Sequence, residues 1–92
     1  MQRPRNIVGP RVREARRRIT PRLTQAALAA RLQVAGFNID RAGIAKIECG
    51  YREVTDYELV ALAKALAITA TWLLDEGSIA ATEEPAGRSG TS

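Results

Sequence analysis

Histidine is absent from this 92-residue sequence, and Cys49 is its only cysteine. A disulfide framework and a zinc site of the ordinary Cys/His type are therefore excluded. General acid–base catalysis lacks its commonest residue, and Cys49 has no adjacent base that would make it a nucleophile. No glycine-rich phosphate loop precedes a helix either. We expect a protein that is not an enzyme and that holds no cofactor and no metal.

Aromatic residues make up only 4% of the sequence. So few aromatic rings argue against a surface that stacks the bases of single-stranded nucleic acid. No apolar run reaches the roughly 18 residues of a membrane-spanning helix, and the N-terminus lacks the apolar segment of a signal peptide. We therefore expect a cytoplasmic protein.

The net charge is +4, but the positive charge is concentrated near the N-terminus. Residues 1–22 contain eight arginines and a single acidic residue, Glu14, whereas residues 75–92 are acidic overall. A basic segment on a small domain indicates an anionic partner, such as nucleic acid or an anionic membrane, with an ordinary solvated surface as the alternative. Arginine favours phosphate, because guanidinium binds it in bidentate geometry.

Hydrophobic periodicity and capping residues divide the chain into five short helices. The predicted helices are 10–19, 25–36, 40–50, 55–67 and 69–74. Thr24, Asp40 and Thr55 are the expected N-caps, and Glu58 completes a capping box with Thr55. We predict an all-α fold: a compact five-helix bundle over residues 9–74, with a flexible basic arm at 1–8 and a flexible tail at 75–92.

The third helix has two unlike sides. At 100° per residue, Ile44 and Ile47 share one side, and small residues lie on the other. Arg41 and Lys46 flank those small residues, which include Ala42 and Ala45. Small residues allow close approach to another surface, and arginine or lysine can then pair with guanine while alanine contacts a thymine methyl.

Three segments carry a resemblance to a known family. They are LTQAALAARL, IDRAGIAKIECG and VTDYELVALAKALAITATWLL. Together they resemble the phage-repressor/Cro-type helix-turn-helix family, also called the xenobiotic-response-element type, over about residues 9–74. The three occur together, which is far more specific than any one of them alone.

The resemblance implies roles for individual residues. It implies DNA contacts through the start of the second helix, the outer side of the third helix and the segment after Gly50. The candidate DNA-binding residues are Thr24, Gln25, Arg41, Ala42, Ala45, Lys46 and Arg52. It also implies a structural ion pair between Glu48 and Arg16, with Arg13 as the second candidate partner. Arg3 and Arg5 could follow a groove as an arm does in homeodomains, or belong to a disordered arm.

Two features depart from the family pattern. The connection QVAGFN adds residues between Leu32 and Ile39, so either the second helix is longer or the turn is a loop. Gly43 lies inside the third helix, where glycine costs about 1 kcal/mol relative to alanine.

The expected function is a sequence-specific regulator, a repressor, that binds double-stranded DNA as a homodimer on an inverted repeat. Such a protein would be associated with the nucleoid and not with a membrane. The alternative is an antitoxin-like module that binds a protein partner as well as DNA, although the tail offers Ile79 as its one apolar anchor. Binding by charge alone is a third possibility.

Overall fold

The computed structural model describes residues 3–75 of the chain. These residues form five α-helices and no strand, which confirms the predicted all-α class. The helices are α1 (Gly9–Arg18), α2 (Gln25–Val34), α3 (Arg41–Glu48), α4 (Asp56–Ala65) and α5 (Ala70–Leu74). Within this part of the chain, no helix is both long and apolar enough to cross a membrane. The predicted flexible tail lies outside the described residues, apart from Asp75.

Side-chain caps begin four of the helices. In each, a threonine or aspartate side chain accepts a hydrogen bond from the backbone N–H three residues later. The capping residues are Thr24, Asp40, Thr55 and Thr69, and the first three are the predicted ones. The Thr55–Glu58 capping box is present in full. Local sequence therefore determines where α2, α3, α4 and α5 start.

The longer connection between α2 and α3 is a loop, the second of the two predicted solutions. Helix α2 ends at Val34, and the chain turns at Gly36, which has a φ of 98° and is followed by Phe37, whose N–H donates to the Leu32 carbonyl at 2.9 Å. This is a Schellman motif, and glycine adopts its positive φ without steric cost. The remaining residues form a loop that the Gln33 side chain braces by donating to the Ile39 carbonyl at 3.0 Å.

The core is built from aliphatic residues of all five helices. Its largest fully buried members are Val12, Leu28, Leu32, Ile44, Ile47, Leu62 and Leu73. Ile44 and Ile47 belong to α3, and they hold its inner side against α1 and α2. Because both isoleucines are fully buried, rotating α3 about its axis would expose apolar surface, so the outer side of α3 is fixed as well.

The segment before α1 belongs to the predicted arm, and part of it contacts the end of α3. The Arg5 N–H donates to the Gly50 carbonyl at 2.8 Å, and the Asn6 amide donates to the carbonyls of Ile47 and Arg52 at 3.1 and 2.7 Å. Val8 is buried in the core. The local sequence showed no periodicity here, but these bonds dock the segment onto the end of α3.

Candidate nucleic-acid interface

The outer side of α3 presents two cations separated by small residues. Arg41, Ala42 and Lys46 are exposed, and Ala45 is half-buried. The Asp40 carboxylate accepts a hydrogen bond from the Gly43 N–H at 2.8 Å and so fixes the first turn. The four residues that sequence reasoning placed on this side therefore do lie together on one helical surface.

The inner end of α3 is held by one buried carboxylate. Glu48 accepts two hydrogen bonds from Arg16, from Nε at 2.8 Å and from Nη2 at 3.0 Å. It also accepts from Nε2 of Gln25 at 3.0 Å, and Arg13 lies 3.4 Å away. A single side chain therefore connects α3 to α1 and to the start of α2.

This cluster favours an ionised Glu48. Burial by itself would raise the pKa of the carboxyl, because it disfavours the charged form. The hydrogen bonds from Arg16 and Gln25, together with the Arg16 charge, outweigh that effect and hold the pKa below its ordinary value of 4.5. Arg16 is itself buried and donates to the Leu23 carbonyl at 3.2 Å. A bidentate, buried ion pair of this kind holds the orientation of α3 relative to α1.

Gln25 has a partner that the resemblance did not imply. Its amide nitrogen donates to Glu48, inside the molecule, and the side chain is half-buried. Glu48 offers this nitrogen a charged acceptor at close range, and a DNA contact through the rest of the Gln25 amide stays a prediction. Thr24 is exposed, but its hydroxyl accepts from the Ala27 N–H as the cap of α2.

Arg52 is also engaged within the fold. Its two terminal nitrogens donate to the two carboxylate oxygens of Glu58 at 3.0 and 2.9 Å. Hydrogen bonding from Arg52 is the main reason why the pKa of Glu58 lies below its ordinary value, and Glu58 in turn raises the pKa of Arg52. The guanidinium therefore braces the start of α4, and a DNA contact by Arg52 stays a prediction.

A polar cleft of about 640 Å³ runs beside the outer side of α3. Arg5 and Lys46 line it, together with Tyr51, whose exposure is 76%. The Arg5 backbone is pinned to Gly50, so its side chain is brought to the cleft from the N-terminal segment. Arg3 is exposed at the start of the described chain. Arg5 of the arm and Lys46 of α3 thus reach one cleft. The cleft also has acidic lining residues, which are Asp40, Glu53 and Glu58.

Sequence reasoning missed three residues that shape this surface. Tyr51 follows Gly50, whose φ of 81° ends α3, and an exposed aromatic after a helix-ending glycine was the available signal. Asn6 has one local partner, because its Oδ1 accepts from the Gly9 N–H at 2.8 Å, but the partners of its amide nitrogen are remote in sequence. A Cβ atom at Gly9 would lie 2.3 Å from the Ile47 carbonyl oxygen. The end of α3 can approach α1 this closely only because Gly9 has no side chain.

Comparison with known proteins agrees with this geometry. A family model described as helix-turn-helix matches residues 12–73, which is more than half of the chain and includes most of α1 through most of α5. Searches of curated proteins and of solved structures give no significant match. Among residues 3–75, no group of acidic, cysteine or histidine side chains could hold a metal ion.

Proposed function

The chain belongs to the Cro/C1-type helix-turn-helix family, also called the xenobiotic-response-element type, which is a family of DNA-binding transcription regulators. From this membership we propose that the protein is a sequence-specific repressor that binds double-stranded DNA as a homodimer. It acts at the nucleoid, in the cytoplasm, by occupying an inverted-repeat operator.

The outer side of α3 is the observation that carries this proposal. Arg41, Ala42 and Lys46 are exposed there, while Ile44, Ile47 and Glu48 fix the opposite side. A helix fits the major groove, where arginine and lysine pair with guanine and alanine contacts a thymine methyl. A helix whose only task was solubility would usually carry long charged residues across its outer side.

The cleft beside α3 supports the same assignment. Arg5 and Lys46 face it from two segments of the chain, and Tyr51 adds an exposed hydroxyl. Phosphate contacts fix the register of a protein on DNA, and base contacts then specify the sequence. We assign Arg5 and Tyr51 to the DNA backbone and Arg41 to a base edge.

Dimeric binding follows from the size of the recognition element. One α3 has eight residues, and one such helix covers only a few base pairs. Two copies related by a two-fold axis would place their α3 helices in successive major grooves, about 34 Å apart along the DNA. Occupancy of such a site would exclude the transcription machinery, which is the simplest route to repression for a domain of this size.

Selection of bound duplexes from a random DNA pool, followed by sequencing, tests this function. We expect an enriched inverted repeat with half-sites separated by about 10 base pairs, one turn of DNA. Arg41→Ala is the matched variant, and it should lose preference at one position of each half-site. Binding without any enriched motif would overturn the proposal in favour of attraction by charge alone.

A further inference from the structure

An apolar groove lies on the outside of the bundle, between α2 and α4. Its volume is about 590 Å³, and its lining is mostly carbon. The lining residues are Arg31, Ala35, Phe37, Tyr57, Val60, Ala61, Lys64 and Ala65. Tyr57 is 78% exposed and Val60 is 48% exposed. Large apolar side chains so exposed and so close together mark an interaction site more often than an ordinary surface.

This groove is separate from the proposed DNA-binding surface. It shares none of its lining residues with the cleft beside α3. Its two charged lining residues are both cations. Arg31 is fixed by donating to the Ala65 carbonyl at 2.8 Å, whereas the side chain of Lys64 is exposed and makes no hydrogen bond or ion pair within residues 3–75. The groove therefore suits an apolar occupant that also carries an acid.

The outer stripe of α4 offers those same properties. Asp56 precedes Val60 by four residues, and Lys64 follows it by four. At 100° per residue, Asp56 and Lys64 lie about 40° to either side of Val60, and Tyr57 lies about 60° away. One stripe thus carries an acid at the N-terminal end, apolar residues in the middle and a base at the C-terminal end. Turned end for end, this stripe is complementary to itself.

We propose that a second copy of this chain docks on this groove, with the two α4 helices antiparallel across a two-fold axis near Val60. In a two-fold interface each contact occurs twice. Asp56 of each copy would face Lys64 of the other, and each Tyr57 would cover the Lys64 end of the opposite groove. This proposal deepens the proposed function and rests on it, because it supplies the interface for the dimer.

The charge pattern allows a test by charge exchange. Asp56→Lys puts two lysines opposite each other in a homodimer, and Lys64→Asp does the same with two aspartates. Mixed together, however, the two variants would form a heterodimer in which every pair has opposite charges. Sedimentation equilibrium of the full chain measures the outcome, and circular dichroism checks that each variant stays helical.

We expect the wild-type protein to dimerise. Each single variant should form its homodimer at least about tenfold more weakly, because like charges face each other in it. The equimolar mixture should regain the wild-type dimer affinity. Asp56→Asn keeps an oxygen that accepts from the Tyr57 N–H, and its dimer affinity should lie between those of the wild type and Asp56→Lys. Glu53→Lys is the matched control, because it makes the same charge change at an exposed site outside the α4 stripe.

The outcomes separate this inference from the proposed function. A wild-type dimer that is insensitive to both exchanges, or a wild-type protein that remains monomeric on its selected DNA, would overturn the interface. In either case, an enriched motif in the DNA selection would still uphold sequence-specific binding. Restored heterodimers without any enriched motif would uphold the interface and overturn the proposed function.

Discussion

The two sides of α3 differ in how many contacts their side chains make within the fold. On the inner side, the side chains have partners within the fold: Ile44 and Ile47 are fully buried, and Glu48 receives hydrogen bonds from two other helices. The outer side holds Arg41 and Lys46, both exposed, and neither side chain makes a hydrogen bond or ion pair within residues 3–75. The inner side fixes where the helix lies, and on the outer side these two cationic side chains contact no partner within the described residues. Substitutions should therefore separate stability from binding.

The largest expected effect is the loss of the buried carboxylate. Glu48→Ala leaves Arg16 buried without its counter-charge, which should destabilise the fold by about 3–5 kcal/mol. Urea unfolding followed by circular dichroism measures this loss. Glu58→Ala is the comparison variant, because it removes an arginine pair that is local in sequence and more exposed. It also removes the capping box with Thr55, and it should cost about 1–2 kcal/mol in all. Equal losses would mean that the Glu48 cluster does not orient α3.

The close approach of α1 and α3 should give the next largest effect. Gly9→Ala would place a Cβ 2.3 Å from the Ile47 carbonyl oxygen and 2.8 Å from that of Glu48, so one backbone must move. We expect a loss of about 1–3 kcal/mol, as for other overpacked sites. The unfolding midpoint in urea measures it.

Gly36→Ala is the control for this prediction. Nothing lies within 4 Å of a Cβ at Gly36, but its φ is 98°. That variant tests backbone strain without collision, for which about 1 kcal/mol is expected. If Gly9→Ala were as stable as the wild type, α1 would not fix the end of α3.

The sequence predicted local features well and long-range ones poorly, for a physical reason. The caps Thr24, Asp40 and Thr55 act within three residues, so a short window contains both donor and acceptor. The partners of the Asn6 amide nitrogen, in contrast, lie more than 40 residues away, and nothing in the local sequence indicates them. The family resemblance supplied the pairing of Glu48 with Arg16, which spacing alone would not have given.

The candidate site shows the same division. The outer side of α3 followed from helical periodicity, because exposure of a residue depends mainly on its angular position. Whether a charged side chain is available depends on neighbours that periodicity cannot identify. Arg52 and Gln25 looked available in the sequence, but Glu58 and Glu48 bind them in the folded chain.

A change on the outer side should affect binding and not folding. Arg41→Ala should cost about 1–3 kcal/mol of discrimination at one base position. Its unfolding free energy should stay within about 0.5 kcal/mol of the wild type, because Arg41 is exposed. Titration of the selected half-site and its single-base variants measures the first quantity. An equal loss of affinity on every sequence would make Arg41 a phosphate contact.

The smallest expected effect is a gradual loss of folding stability at acidic pH. The pKa values of Glu48 and Glu58 both lie below 4.5 in the folded chain. A depressed pKa stabilises the folded state in full above the unfolded value, and this stabilisation disappears as the pH falls through the folded value. Stability should therefore be level above pH 4.5 and decline below it.

Replacing Glu48 or Glu58 singly by glutamine shows which of the two carboxylates causes the decline in stability. The Glu48 carboxylate receives hydrogen bonds from three side chains, whereas that of Glu58 receives them from one side chain and one backbone N–H. Glu48→Gln should therefore flatten the acid decline more than Glu58→Gln does. Urea midpoints between about pH 7 and about pH 3 measure both slopes. If Glu58→Gln removed more of the decline, the acid-sensitive point of the fold would be the start of α4, and the inner side of α3 would owe its order to Ile44 and Ile47 instead of to Glu48.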